Sequence, residues 1–281
     1  MPETAYYEDR FVEPGARVVP LEDRGHQFGD GIYEVIRVYN GVPFLLDEHL
    51  ARLLVSADAI DLELPYSIAE IRAICEKSLE RAQLPDAEIY IQVTRGSSPR
   101  AHAFPENVRG ILMVAVKHAR TVSEEKRQSG VPVMSIEENR WKFCYIKSLN
   151  LLPNVLAKEK AKNYQCHEAV YVDEGIVKEG SSSNIFAVKD GVMYTYPPEP
   201  SILHGISRQF VIDLALRLGM EVKEEKKSLS FFKSADELFL TSTTMEILAV
   251  SSFDDTDYSE RRPITRKLAA EFRAEVERRT T

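Results

Sequence analysis

The sequence predicts an α+β fold with two domains, and three observations lead to that prediction. The chain has 281 residues, enough for two domains of ordinary size. Strand-like segments alternate with helical patterns in both halves. A polar segment without apolar periodicity, HARTVSEEKRQSG, separates the halves. We therefore predict an N-terminal α+β domain over residues 1–118, a linker over 119–123 and a larger C-terminal domain over 124–281.

The first half contains a hairpin signal and two helix signals. The stretch Ile32–Tyr39 is rich in β-branched and aromatic residues and meets the turn Asn40-Gly41, after which VPFLL returns as a strand. Asp47 and Ser67 are each expected to cap a helix that follows them. The segments AEIYIQVTRG and RGILMVAVK then read as strands.

The second half repeats the mixture of strands and helices. VPVMSIEENRW, EAVYVDEGIV, NIFAVKDGVMYTY and DELFLTSTT read as strands, with a turn at Asp190-Gly191. Helices are predicted over Leu149–Asn163 and Gly205–Leu218. A last helix is predicted from Ile264 to about Arg278, and its apolar residues recur every four positions, which indicates a single packed face.

Composition and charge exclude several classes of protein. The net charge is 36 − 44 = −8, which argues against a nucleic-acid partner. No stretch approaches the roughly 20 apolar residues that span a bilayer. The three cysteines give no disulfide framework, and the polar N-terminal segment lacks the apolar core of a signal peptide. The histidines show no metal-ligand spacing. We expect a cytoplasmic protein with no metal site.

A lysine and a glutamate are the first candidates for chemistry. Lys147 lies among apolar residues in YIKSLNLL, and Glu179 begins the run EGSSSN 32 residues later, between two predicted strands. Read alone, Lys147 is also consistent with an exposed lysine, and Ser181 and Ser182 with a polar loop. Together they suit pyridoxal phosphate, which needs an amine for its aldehyde and an acid for its ring nitrogen.

The same cofactor also needs donors for its phosphate, and the sequence offers three groups of them. Ile206 and Ser207 follow Gly205 at a helix start, where free N–H groups attract an anion. Ser242 and Thr243 lie at the end of a strand. Arg52, on the first long helix, could supply a cation.

A second set of residues could bind a carboxylate. In TRGSSPRAHAF, Arg100 and His102 are alternate residues of a loop that Pro99 is expected to keep extended, so both cations can face one target. Tyr33 is a plausible hydroxyl donor. An ordinary basic surface loop is the competing interpretation of this segment.

These motifs together resemble the fold-type IV pyridoxal-phosphate enzymes, and within them the D-amino-acid aminotransferases. The resemblance runs from RGHQFGDG through DEHLARL, VTRGSSPRAHAF, IKSLNLL, EGSSSNIF and ILHGISR to ELFLTSTT. It implies a smaller N-terminal domain and a larger C-terminal domain with a β-barrel-like core. It also implies a homodimer, because in this family the loop carrying the arginine and histidine reaches in from the neighbouring subunit.

The resemblance assigns roles to individual residues. Lys147 would form the Schiff base and carry the substrate proton, and Glu179 would pair with the ring nitrogen. Tyr33, Arg100 and His102 would bind the substrate carboxylate. The remaining cofactor contacts would come from Arg52, Ser181, Ser182, Leu203, Ile206, Ser207, Ser242 and Thr243, although the family more often has threonine in place of Ser207.

The predicted activity is a ping-pong transamination between a D-amino acid and a 2-oxo acid. D-alanine and 2-oxoglutarate, giving pyruvate and D-glutamate, are the expected pair. Three alternatives remain: a lyase of the aminodeoxychorismate type, an L-branched-chain or R-amine transaminase, and a non-enzymatic protein of the same fold. The pair Arg100 and His102 disfavours the first two, and Lys147 with Glu179 disfavours the third.

Overall fold

The computed structural model describes residues 3–281 and divides the chain into two compact units. The first unit extends to Arg120 and also contains Ile146–Asn150 and Arg279–Thr281. The second unit consists of Thr121–Tyr145 and Leu151–Arg278. The segment that carries Lys147 therefore packs with the N-terminal half of the chain, although it follows that half in sequence.

The first unit is built on an antiparallel sheet of six strands in the order β2-β1-β6-β5-β3-β4. Its elements are β1 (Thr4–Tyr7), β2 (Arg10–Val12), α1 (Arg24–Phe28), β3 (Gly31–Tyr39), β4 (Val42–Pro43), α2 (Leu46–Asp58), α3 (Ile68–Ala82), β5 (Ala87–Thr94) and β6 (Ile111–His118). The predicted hairpin at Asn40-Gly41 is present, and both residues have positive φ, as its tight turn requires.

The helices of the first unit bury one apolar face each. Leu50 and Leu53 of α2 and Ile71 of α3 are fully buried, and each such side chain contributes about 1.5–3 kcal/mol. The predicted cap at Ser67 is confirmed, because its side chain and that of Glu70 form a reciprocal capping box.

The predicted cap of α2 is wrong. Helix α2 begins at Leu46 after Leu45, which has a left-handed backbone and caps nothing through its side chain. Asp47 lies inside the first turn, where its charge favours the positive end of the helix, and its carboxylate pairs with Arg72.

The second unit contains a mixed sheet of nine strands. The path is β12-β11-β10-β13-β14-β7-β8-β9, with β15 paired to β14, and the pairs β11/β12, β14/β7 and β7/β8 are parallel. Its elements are α4 (Glu124–Ser129), β7 (Val131–Glu137), α5 (Leu152–Asn163), β8 (Glu168–Asp173), β9 (Ile176–Gly180), β10 (Asn184–Lys189), β11 (Val192–Thr195), α6 (Ile206–Arg217), β12 (Val222–Glu224), α7 (Leu229–Lys233), β13 (Glu237–Ser242), β14 (Glu246–Phe253), β15 (Thr256–Asp257) and α8 (Pro263–Thr280).

Six of these strands curl around one core. The strand β9 turns directly into β10, and the Gly180 amide donates to the Ser183 carbonyl at 2.7 Å. One buried cluster receives a side chain from each of the strands β7, β8, β9, β10, β13 and β14, namely Val133, Val170, Val177, Ile185, Leu240 and Leu248. The expected barrel-like core of the C-terminal half is confirmed.

Three details of the second half differ from the predictions. The segment EAVYVDEGIV forms two strands instead of one, because Glu174 and Gly175 take positive φ and reverse the chain. Helix α5 begins at Leu152, with proline in its first turn, and not at Leu149. The polar segment between the halves contains a short helix, α4, capped by the Ser123 side chain. No helix within residues 3–281 is both long and apolar enough to cross a bilayer.

Candidate active site

Lys147 is held by the backbone of the first unit. Its carbonyl accepts from the Tyr33 amide at 3.0 Å, and its amide donates to the Ser56 hydroxyl at 3.1 Å. The amine lies 4.4 Å from the centre of the Tyr33 ring. Among residues 3–281, no carboxylate lies within ion-pairing distance of it. The half-buried amine is thus positioned without a carboxylate partner that would stabilise its protonated form.

The surroundings of Lys147 differ from those expected from its sequence neighbours. Ile146 is buried, but Phe143 and Leu152 expose 53% and 68% of their surface. The groups that Lys147 contacts come from β3 and α2, which are distant in sequence. The residues next to Lys147 in sequence are therefore not all the ones that surround its amine in the structure.

A buried carboxylate organises the predicted phosphate ligand Arg52. Both oxygens of Glu34 accept from Arg52, at 2.7 and 2.8 Å, and Glu34 also lies 2.7 Å from Nδ1 of His49. Burial alone would raise the pKa of Glu34, but Arg52 and His49 together lower it. Burial lowers the pKa of His49. Glu34 is consequently an anion that fixes the orientation of the Arg52 guanidinium.

The structure brings Arg100 and His102 to the same aromatic ring. The Arg100 guanidinium lies 5.0 Å from the centre of Phe28, and the His102 ring lies 5.7 Å from it. Both residues are exposed, and the loop bends at each of them instead of staying extended as predicted. Arg24, buried and paired with Asp30, donates to the carbonyl oxygens of residues 101 and 102 and so anchors the loop.

Glu179 lies near the end of β9 in the second unit, only 3% exposed. One of its oxygens accepts from Arg140 at 2.7 Å and the other from the Asn184 amide nitrogen at 3.0 Å. The Leu203 backbone amide donates to both, at 3.1 Å. The predicted cofactor contact Leu203 is therefore linked to Glu179 through its backbone. Burial raises the pKa of Glu179 to about 7 even though Arg140 opposes that shift.

The serine residues that follow Glu179 point to a different carboxylate. Ser181, Ser182 and Ser183 all donate to Glu168, at 2.7 Å for Ser182 and 3.2 Å for Ser183. Glu168 is fully buried, and Lys158 lies 3.4 Å from it. These hydroxyl groups therefore support the loop itself, and the role of Ser181 and Ser182 as cofactor donors stays a prediction.

The start of α6 has the features of an anion site. Gly205 precedes the helix without a side-chain cap, and the first turn contains no acidic residue. A Cβ atom on Gly205 would lie 2.1 Å from the Asn184 side-chain oxygen, so only glycine fits. Ser207 is buried in the first turn, after Ile206.

The other predicted phosphate donors lie at the end of β13. Ser242 accepts from the Met245 amide at 3.1 Å, which tightens the turn into β14. Thr243 is half-buried in that turn. Among the residues that the structure describes, no cluster of three or more His, Cys, Asp or Glu side chains could hold a metal ion.

Sequence reasoning missed the residues that support the candidate ligands. Glu34, Glu138, Arg140 and Glu168 bind a predicted site residue directly or through one partner. The available signal was an acidic residue inside an apolar strand, as at Glu34 and Glu168, which is costly unless it is paired. Their partners lie far away in sequence, so the signal does not identify the pairing.

Comparisons with known proteins agree with this arrangement. The sequence matches the family described as Amino-transferase class IV over residues 31–253. A D-alanine aminotransferase from Listeria monocytogenes serotype 4b (strain F2365) is 44% identical over 275 residues, which cover 95% of this chain and 94% of that protein.

Solved structures show the same fold. A branched-chain amino acid aminotransferase from Escherichia coli superposes with a TM-score of 0.90 at 26% identity, covering 98% of this chain and 94% of that one. A putative 4-amino-4-deoxychorismate lyase from Legionella pneumophila superposes with a TM-score of 0.85 at 24% identity, covering 93% and 97%. The second likeness concerns the fold alone.

Proposed function

We propose that this chain, which belongs to the class IV aminotransferase family and is an aminotransferase, moves the amino group of a D-amino acid to a 2-oxo acid with the help of pyridoxal 5'-phosphate. The observation that carries the proposal is the amine of Lys147, fixed through its backbone and left without a carboxylate partner among residues 3–281. A carboxylate partner would stabilise the protonated ammonium form of the lysine, whereas the neutral amine is the form that reacts with an aldehyde.

The residues present fit the cofactor. The glycine start of α6, with free N–H groups and no acidic residue in its first turn, suits a phosphate dianion, and Ile206, Ser207, Ser242 and Thr243 would add donors. Arg52 is already oriented by Glu34 and would supply positive charge. The pKa of Glu179, raised to about 7, suits a carboxyl group that shares a proton with a pyridine nitrogen.

The residues of the chain would divide the chemistry between them. When bound, pyridoxal phosphate supplies an aldehyde that reacts with amines and a protonated ring that accepts electrons from a broken C–H bond. Nζ of Lys147, in its neutral form, would take the proton from the substrate α-carbon and later return one. Glu179 would hold the proton on the ring side, and the two groups thus handle different protons.

The substrate carboxylate would be bound by Tyr33, Arg100 and His102. We infer that the substrates are D-amino acids, because two relatives named D-alanine aminotransferase are 44% and 41% identical to this chain over 95% and 88% of its length. The C–H bond of the substrate α-carbon must point at Lys147 to break. The position of the carboxylate pocket therefore decides which enantiomer is accepted. D-alanine and 2-oxoglutarate, giving pyruvate and D-glutamate by a ping-pong mechanism, are the proposed substrates.

We further propose that the enzyme is a homodimer. Leu152, Val155 and Leu156 recur on one face of α5, and each exposes more than half of its surface. Trp141 and Phe143 of the same unit are exposed as well. Large apolar side chains grouped in this way are typical of subunit interfaces.

An L-branched-chain transaminase is the second candidate function. It is favoured by the superposition on the Escherichia coli branched-chain enzyme, which has a TM-score of 0.90 although the sequence identity is only 26%. The higher identity to D-alanine aminotransferases favours the first candidate. The experiment that separates them is a panel of D- and L-amino acids with 2-oxoglutarate, scored by the oxo acid that forms. Exclusive use of L-forms would contradict the D-specific proposal.

The lysine is tested by Lys147→Ala. We expect the parent protein with pyridoxal phosphate to show a visible absorption band that disappears on borohydride reduction. The reduced cofactor should then be found covalently attached to Lys147. The variant should lose transamination by several orders of magnitude, because both the attachment and the proton carrier are gone. Retained turnover would contradict the mechanism.

The carboxylate site is tested by Arg100→Ala. Loss of the guanidinium should raise the substrate KM at least tenfold and leave the visible spectrum of the bound cofactor unchanged. Arg10→Ala, which removes an exposed arginine paired with its neighbour Asp9, is the control and should leave KM unchanged. An unchanged KM in Arg100→Ala would favour an amine substrate without a carboxylate.

A further inference from the structure

Behind Glu179 lies a buried arginine that two carboxylates share. Arg140 donates through Nε and one terminal nitrogen to both oxygens of Glu138, at 2.9 and 2.7 Å. Its other terminal nitrogen donates to Glu179 at 2.7 Å. The side chains of Glu138 and Arg140 are only 9% and 6% exposed. The group therefore contains two acids and one base, shielded from water.

The two carboxylates do not receive the arginine equally. Glu138 has the bidentate arrangement, which is the stronger one, and it also accepts from the Arg140 backbone amide at 2.9 Å. Glu179 has a single contact with Arg140 and completes its set with Asn184 and the Leu203 amide, both uncharged. Glu138 consequently compensates part of the positive charge that Arg140 presents to Glu179.

We propose that Glu138 and Arg140 are positioning residues that set the charge of the Glu179 site: Arg140 holds the carboxylate in place, while Glu138 compensates its charge so that Glu179 keeps a strong affinity for a proton. The ligand that such a carboxyl group suits is a nitrogen heterocycle that is protonated when bound. This inference rests on the proposed function, because the pyridine ring of pyridoxal phosphate is a heterocycle of this kind.

The electrostatics around Glu179 agree with this assignment. Burial raises the pKa of Glu179 most, Arg140 lowers it, and Glu138 raises it again. The thiol of Cys144 also senses Glu179, and burial raises its pKa to about 11, so it is uncharged at neutral pH. From β10 and the segment before α6, Glu179 meets only the neutral donors of Asn184 and Leu203.

The far side of Arg140 explains why the guanidinium stays in this place. Its central carbon lies 3.9 Å from the centre of the Tyr171 ring, within reach of a cation–π interaction. Tyr171 is fully buried on β8. Arg140 is thus held between an aromatic face and two carboxylates.

The decisive test compares Glu138→Gln with Glu137→Gln. The first removes the buried compensating charge and keeps the shape of the side chain, and the second removes the charge of the adjacent exposed residue. The titration midpoint of Glu179 is read in the cofactor-free proteins from its ¹³C-carboxyl resonance, assigned by its absence in Glu179→Gln. We expect Glu138→Gln to lower the midpoint by about one unit and Glu137→Gln to leave it unchanged.

A second variant is expected to act in the opposite direction. Arg140→Gln removes the cation and should raise the Glu179 midpoint. A midpoint that is unchanged or raised in Glu138→Gln overturns the inference, whether or not Arg140→Gln folds.

The cofactor-loaded proteins give an independent readout. In Glu138→Gln, the pH midpoint of the change in the visible band should be lower by about one unit. We also expect kcat to fall more than KM changes, because the ring proton is held less strongly. Failure of the proposed function would look different. The parent would then form no band that depends on Lys147, while the carboxyl titrations of the cofactor-free proteins would remain measurable.

Discussion

At the scale of single residues, the second unit keeps two carboxyl groups out of water by different means. Glu168 is surrounded by three serine hydroxyl groups and Lys158. Glu179 has an arginine that is shared with another acid. Hydroxyl donors satisfy the oxygens of Glu168, whereas at Glu179 burial outweighs the nearby positive charge and raises the pKa of the carboxyl group. The first arrangement suits a structural role and the second suits a group that exchanges a proton.

The protonation of Glu179 predicts an effect of pH on stability. Its pKa in the folded chain is about 7, above the ordinary value of 4.5, so folding favours the protonated form. This contribution is complete below about pH 4.5 and is lost as the pH rises through 7. It amounts to roughly 3 kcal/mol, since one pKa unit corresponds to about 1.4 kcal/mol. Urea unfolding of the cofactor-free protein at several pH values measures it.

The comparison with Glu179→Gln isolates this contribution from other groups. His49, whose pKa is lowered by burial, acts in the opposite sense, but it is present in both proteins and cancels. We expect the parent to lose stability relative to the variant between pH 4.5 and 7. Parallel pH profiles of the two proteins would show that Glu179 titrates at its ordinary pKa.

The serine residues predict a graded effect on stability. Ser181 is buried, so Ser181→Ala leaves Glu168 without one donor and should cost about 1–3 kcal/mol. Ser182 is exposed, and water can replace its hydroxyl group in Ser182→Ala, so the cost should be smaller. Denaturant unfolding checks the order. Equal costs for the two variants would contradict the argument that burial of the Ser181 hydroxyl group makes its loss more costly.

At the scale of secondary structure, the start of α6 is bound to the position of Glu179. Asn184, the first residue of β10, donates to Glu179 at 3.0 Å and to the Leu203 carbonyl at 2.9 Å. Its side-chain oxygen fills the space in which Gly205 would otherwise carry a Cβ atom. The predicted anion site and the predicted proton site therefore share one side chain.

This arrangement predicts the consequence of Gly205→Ala. The new methyl group would displace Asn184, so we expect weaker pyridoxal-phosphate binding, by tenfold or more, and a stability loss of about 1–3 kcal/mol. Titration of the visible band measures the binding. Gly191→Ala is the control, because it is strained by a positive φ but has no atom within 4 Å. Gly191→Ala should lower stability without weakening cofactor binding. Equal losses of binding in both variants would contradict the role of Asn184.

At the scale of the whole molecule, the net charge of −8 does not attract anionic substrates. In the proposed function, binding of amino and oxo acids therefore depends on local cations such as Arg100. If the proposed homodimer brings that loop to the neighbouring subunit, as the family resemblance implies, oligomer formation and substrate binding should be coupled.

The coupling is tested with Leu156→Asp. The side chain exposes 59% of its surface in one chain, so a charge there should leave the fold intact and weaken subunit association. We expect sedimentation to show monomers and the substrate KM to rise. Leu216→Asp, at a leucine of α6 that is 54% exposed, is the control and should remain dimeric. If Leu156→Asp forms dimers with an unchanged dissociation constant, the exposed face of α5 is not the subunit interface.

The sequence predicted most elements for reasons that are local. Ser67 and Glu70 cap α3 within one turn, and the hairpin at Asn40-Gly41 depends on two adjacent residues with positive φ. Where the prediction was wrong, residues with positive φ decided, namely Leu45 before α2 and Glu174 with Gly175 after β8, and sequence patterns do not reveal such conformations at leucine or glutamate. Helix α2 begins with a strained Leu45 without a side-chain cap, and EAVYVDEGIV folds back on itself to complete the curled sheet.

The sequence by itself determined the family and the fold class and named Lys147 and Glu179 as candidate reactive groups, because motifs such as IKSLNLL and EGSSSNIF are contiguous. Only the tertiary structure decided what surrounds each group. Lys147 joins the first unit through β3 and Ser56, and the Glu179 carboxylate meets Arg140, which is 39 residues away. Proton affinity is set by burial and by neighbouring charges in space, and a linear sequence specifies neither.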